Sequence, residues 1–147
     1  MTQVGKTTAI TVRREIEATA EEIFNAWLDP ASLATWMRPS GIERSTAKVD
    51  PREGGSFEIV MHHAGGSILH TGVYRVIERP SRLVFTWISP ATKHAESLVT
   101  VEFHARAGIT EVVVTHELLP GDDAKPSHTD GWTQALELLA TTTCRKH

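Results

Sequence analysis

The feature that most constrains this chain is its change of hydrophobic period. From residue 42 to residue 117 apolar side chains alternate with polar ones, and turn-forming residues interrupt the alternation at short intervals. Candidate strands fall at 42–49, 55–62, 69–78, 82–88, 97–105 and 109–117. Links such as Arg79-Pro80-Ser81 and Arg106-Ala107-Gly108 suit antiparallel hairpins, since a parallel crossover needs roughly a dozen residues or more. Alternation also assigns faces. Phe57, Ile59 and Met61 share one side, as do Leu83, Phe85 and Trp87, then Val99, Val101 and Phe103, and finally Val112, Val114 and His116. Glu58, Arg82, Thr86, Glu102, His104, Glu111 and Glu117 fall on the opposite parity and are expected to face water.

The flanks read differently. Residues 9–17 alternate once more, with Ile10, Val12 and Ile16 on one face; Arg14 falls on that face and needs a partner if buried. Thr19-Ala-Glu-Glu22 has capping-box spacing, and Ala20, Ile23, Phe24, Trp27 and Leu28 follow as one helical stripe. Asp29-Pro30 stops that helix and starts a second one running to about Trp36. Near the other end, Trp132, Ala135, Leu136, Leu139 and Ala140 form the stripe of a last helix beginning near Pro126 or Ser127. Asp130 then reads as a helix-start carboxylate favoured by the dipole. The order β-α-α-β-β-β-β-β-β-α defines an α+β layer fold in which the C-terminal helix covers a seven-stranded antiparallel sheet.

A curved sheet gripping a helix leaves a hollow, and the side chains directed at it suggest its use. Trp36, Met61, Tyr74, Trp87, His116 and Trp132 combine apolar bulk with a polar tip or a polarizable sulfur, the make-up of a small-molecule pocket. Phe85 and Leu136 complete the expected wall. His116, Tyr74 and the indole N–H groups of Trp36 and Trp87 are the candidates for orienting a ligand. The entrance is expected near the short helix 30–36 and the hairpin loops around 64–67 and 89–95.

Other chemistries find less support. With 15 Lys+Arg against 18 Asp+Glu, the net charge of −3 argues against a nucleic-acid partner, because neutralising phosphates needs surplus cations. No apolar stretch approaches the ~20 residues of a membrane span, and residues 1–6 carry no apolar signal core. His62 and His63 are adjacent on a strand, point to opposite faces and do not easily chelate one ion, so no metal site is expected. No phosphate-cradling glycine loop or nucleophile elbow occurs, and no cofactor is implied. The lone Cys144 reads as an inert thiol and fits a reducing cytoplasm. The 147 residues suit a single domain spanning 1–147.

Several segments in order carry a family resemblance. Arg14 with Ala18, Ile23-Phe24, Ala26-Trp-Leu-Asp-Pro30, Trp36-Met-Arg-Pro39, Asp50-Pro-Arg-Glu-Gly-Gly55, Gly72-Val-Tyr74, Pro80-Ser-Arg-Leu-Val-Phe-Thr-Trp87, Thr110, His116 and Gly131-Trp132 resemble the heat-shock-protein-90 ATPase activator homologue (AHSA1-like) family. That family is a branch of the START-like, SRPBCC superfamily, and the resemblance spans about residues 10–140. Thr19 departs from the pattern, which often has proline there; both start a helix. The resemblance implies a helix-grip fold with a cavity between sheet and long C-terminal helix. It also implies functions ranging from carriage of hydrophobic ligands to cyclase chemistry and co-chaperone action in the stress response. The leading expectation is binding of a small hydrophobic or aromatic molecule in that cavity. The alternatives are a cyclase- or hydrolase-type enzyme using His116 as general base, and a chaperone-regulating interaction module.

Overall fold

The computed structural model describes residues 8–143; Cys144 and residues 1–6, on which two of the expectations above rest, lie outside the described residues. Strand β1 (Thr8–Ile16) leads into helices α1 (Ala20–Leu28) and α2 (Pro30–Trp36). Then come β2 (Arg44–Val49), β3 (Ser56–His63), β4 (Gly66–Glu78), β5 (Arg82–Trp87), β6 (Ser97–Arg106) and β7 (Ile109–Leu119), closed by α3 (Lys125–Thr143). The strands form one antiparallel sheet in the order β1-β7-β6-β5-β4-β3-β2. Five successive hairpin pairings, from β2 to β7, account for most of this order. The exception is β1, which pairs with the last strand, so α1 and α2 carry the chain across to the far edge at β2.

Local chemistry sets the helix ends. The Glu22 N–H donates to Thr19 Oγ1 at 3.1 Å while Thr19 N–H donates to Glu22 Oε1 at 3.1 Å, the reciprocal capping box. Asp29 Oδ1 accepts from Ala31 N–H at 3.2 Å, and Pro30 takes the first position of α2, where its missing N–H costs nothing. Helix α3 begins at Lys125, directly after a single 3-10 turn at Asp122–Ala124. That earlier start places Asp130 in the second helical turn and exposed, which corrects its expected position at the helix start.

The apolar parities converge on one core. Ile23, Phe24 and Trp27 from α1, Trp36 from α2, and Leu136 and Leu139 from α3 pack against Leu83, Phe85, Val99, Val101, Phe103, Val112 and Val114 of the sheet. Arg14 lies on the edge strand with its side chain partly exposed and pairs with Glu137 of α3 at 3.2 Å. Thr86 departs from the expected outward setting: it is buried, and its Oγ1 accepts from the Val73 N–H at 2.9 Å. The hydroxyl replaces a ladder bond where β4 changes register. Between Tyr74 and Val76 the β4–β5 pairing shifts by a bulge, and the first half of β4 pairs instead with β3. Extra residues of this kind bend a strand and increase its twist. No helix among the described residues is long and apolar enough to cross a membrane.

Candidate functional site

A cleft of about 350 Å³ lies between one end of the sheet and the first half of α3. Met61, Ile68 and Trp87 form its sheet wall, and Trp132 with Gly131 forms its helix wall. Met37, Pro39 and Ile42, from the segment joining α2 to β2, close a third side, and Ser89 and Ala91 reach it from the loop after β5. The Trp87 and Trp132 rings sit 5.3 Å apart at 51°, presenting adjoining indole surfaces. Of the expected entrance segments only the loop around 89–95 contributes; helix 30–36 and the tip of the 64–67 hairpin supply none of the lining, and the segment just after α2 stands where that helix was expected.

The eight candidate residues divide into two groups. Met61, Trp87 and Trp132 line the cleft. Trp36, Tyr74, Phe85, His116 and Leu136 stand behind it in the packed interior. Trp36 is fully buried; its indole N–H donates to the Ala26 carbonyl at 3.3 Å and its ring meets Trp27 edge-on at 4.7 Å. Tyr74 and Phe85 belong to an aromatic cluster with Phe57, with centroids 5.3 and 5.4 Å from that ring. The void left among Trp27, Leu33, Tyr74, Phe85 and Trp87 is only about 10 Å³. Aromatic bulk has filled the deep hollow, and the usable space has moved toward the N-terminal half of α3.

His116 sits at the junction of these groups and is 0% exposed. Its Nδ1 accepts from the Trp132 indole N–H at 3.0 Å. Because an indole only donates, Nδ1 must be unprotonated and Nε2 carries the hydrogen. Nε2–H then donates to Ser97 Oγ at 2.7 Å, and the Ser97 hydroxyl donates onward to the Trp87 carbonyl at 2.6 Å. Burial, with the neighbouring His128 ring opposing charge, pushes His116 down to about 3. Both nitrogens are engaged by protein groups, so the ring has no lone pair free to serve as a general base.

Two further histidines on the cleft wall escaped the sequence reading. His70 donates from Nδ1 to the Ile59 carbonyl at 3.3 Å and lies 5.1 Å from the Trp87 ring; burial pushes it down to about 4, a shift that the Ile59 hydrogen bond partly offsets. His128 packs edge-on against His116 at 4.9 Å. Both were findable. His70 shares the parity of Tyr74, and His128 stands four residues before Trp132, one step back along the same helical stripe. Among the described residues no group of three or more His, Cys, Asp or Glu is arranged to hold a metal ion.

A long helix gripped by an open seven-stranded antiparallel sheet, with a cleft at their junction, defines a helix-grip protein. Residues 17–143 match the model of the family described as Activator of Hsp90 ATPase homolog 1-like protein, and the chain belongs to that family. Similar solved structures include CV1439 from Chromobacterium violaceum, at 23% identity over 94% of this chain and 98% of that one, with a TM-score of 0.82. CalU16 from Micromonospora echinospora matches at 23% identity over 92% and 75% of the two chains, with a TM-score of 0.69. PFC0360w, an HSP90 activator from Plasmodium falciparum, matches at 26% identity over 91% and 94%, with a TM-score of 0.71. A comparison with curated proteins returns no match.

Proposed function

We propose that this chain binds a small hydrophobic or aromatic molecule in the cleft between the sheet and α3. The observation that carries this reading is the cleft itself: about 350 Å³, with Trp87, Trp132, Met61 and Ile68 on its walls. That volume falls at the lower end of the roughly 300–1,000 Å³ range of small-molecule sites, and the wall chemistry is theirs. Apolar burial supplies most of the affinity, at about 25 cal/mol per Å² before ordering costs. His116 holds Trp132 in place from behind, and catalysis is not required of it.

Native mass spectrometry beside a denatured control tests the reading. A retained mass of a few hundred daltons that is lost on denaturation supports it, as does a thermal shift with aromatic compounds of one to three rings. A bare chain with no thermal shift across such a panel overturns it.

A second reading, regulation of the Hsp90 chaperone, draws on the likeness to the Plasmodium activator. Leu69 and Val73, exposed on one face of β4, supply an apolar surface for a protein partner. Stimulation of a purified Hsp90 ATPase by this chain supports that role, and an unchanged ATPase rate removes it.

A further inference from the structure

Two residues that line the cleft each carry a buried polar atom that the protein leaves unmatched. His128 is 7% exposed, and its Nδ1 lies 2.7 Å from the Ala124 carbonyl oxygen, to which it donates. In the neutral ring the remaining nitrogen, Nε2, is then an acceptor. It is buried and has no hydrogen-bond partner. Ser89 is 1% exposed, and its Oγ is likewise buried and unpartnered. Both residues line the same cleft as Trp87 and Trp132. Buried polar groups in folded proteins are nearly always satisfied, so two orphans on residues bordering one cleft call for a group supplied from outside. His116, on the same side of the molecule, has both of its nitrogens bonded within the protein.

We infer that the cleft is specific for a neutral ring compound bearing a hydroxyl group, whose O–H donates to His128 Nε2 and whose oxygen is met by the Ser89 hydroxyl. This rests on the ligand-binding reading above and adds the polar signature of the ligand. The charge of the wall selects against the obvious competitor: the lining includes the carboxylate-bearing Asp130 and neither lysine nor arginine, so an aromatic acid would find no counter-ion. The indole surfaces of Trp87 and Trp132 accept a flat ring by offset or edge-on stacking. A site built around a buried hydrogen-bonding group rejects the analogue lacking that group, because the protein atom is then left unpaired.

Calorimetric titration of the full chain with 2-naphthol, naphthalene and 2-naphthoate tests this. The expected order is 2-naphthol tighter than naphthalene by roughly tenfold or more, the equivalent of one well-made hydrogen bond, with 2-naphthoate weakest. His128→Leu is expected to erase the preference for 2-naphthol over naphthalene while leaving naphthalene binding intact. Ser89→Ala, a smaller change, is expected to reduce the preference several-fold and carries the test if the His128 variant fails to fold. Equal affinity for 2-naphthol and naphthalene, tightest binding of 2-naphthoate, or a preference untouched by either variant overturns the inference while leaving the cleft as a ligand site. Failure of all three compounds to bind overturns the ligand-binding reading and this inference with it.

Discussion

The indole N–H of Trp132 donates to His116 Nδ1 at 3.0 Å, a bond that ties the C-terminal helix to β7 of the sheet. It is the first step of a chain running through Ser97 Oγ to the Trp87 carbonyl, so one neutral imidazole links α3, β7, β6 and β5. The two tryptophans it connects are the two that face the cleft. His116 is therefore a positioning residue, and its protonation state is fixed by the donors around it.

Trp132→Phe keeps an aromatic ring and removes the donor, leaving His116 Nδ1 buried and unmatched. The expected cost is about 1–3 kcal/mol, read from urea unfolding. His116→Leu strands the Trp132 N–H instead. The double variant is expected to cost less than the sum of the two, because each single change already breaks the shared bond.

The histidines predict an acid-sensitive fold. Burial holds His116 near 3 and His70 near 4, both below the ordinary imidazole value of 6.5. The unfolded chain therefore takes up protons that the folded chain refuses. The contribution of these groups to stability is intact above about pH 6.5 and is lost progressively as pH falls toward their folded values, at up to about 1.4 kcal/mol per pH unit per histidine. Denaturant unfolding between about pH 6 and 5 is expected to show that slope, and His70→Gln to reduce it by about one proton. An unchanged slope in that variant would show that His70 is protonated in the fold.

Gly72 is the least replaceable glycine described. A Cβ there would lie 2.0 Å from the Thr86 carbonyl oxygen and 2.4 Å from two atoms of the Phe57 ring. The backbone of β5 cannot yield without breaking its own ladder. Gly72→Ala is expected to destabilise by about 3 kcal/mol or more, seen as a large fall in the urea midpoint.

Gly131 behaves in the opposite way. It lies within α3, and a Cβ there meets nothing within 4 Å. Gly131→Ala is expected to stabilise the protein by about 0.5–1 kcal/mol through helix propensity, measured as a rise in Tm. A loss of stability would show that α3 is not a regular helix at this point.

Ile68, partly exposed on the cleft wall, offers a way to fill the site without touching the core. Ile68→Trp is expected to weaken aromatic ligands by roughly tenfold or more while changing stability by about 0.5 kcal/mol or less. Unaltered ligand affinity would place the ligand elsewhere on the molecule.

Much of this architecture was legible because it follows from local rules. Period-two alternation marked the strands, the Thr19 and Asp29 caps marked α1 and α2, and the stripe from Trp132 to Ala140 marked the buried face of α3. The family pattern and the residues themselves agreed on the layer order. Parity does not carry through a bulge: His70, Gly72 and Tyr74 share the inward face, but beyond the shift between Tyr74 and Val76 it is Ile77 that packs against the core. A bulge adds one residue and reverses every later assignment, and no residue type in this stretch announces it.

Sequence alone determined which side chains turn inward, because direction is set by backbone period and apolar burial. It could not determine which inward side chains meet one another and which are left facing space. Tyr74 and Phe85 turn inward by the same parity as Met61 and Trp87, and Trp36 turns inward from the end of α2, yet Trp36, Tyr74 and Phe85 fill the hollow while Met61 and Trp87 border what remains. That division depends on how aromatic volumes from α1, α2 and the sheet add up, a sum over residues far apart in the chain. The same holds for His116. Its inward direction was written in the alternation of β7, but only the arrival of Trp132 from α3 and Ser97 from β6 decided that both of its nitrogens would be occupied.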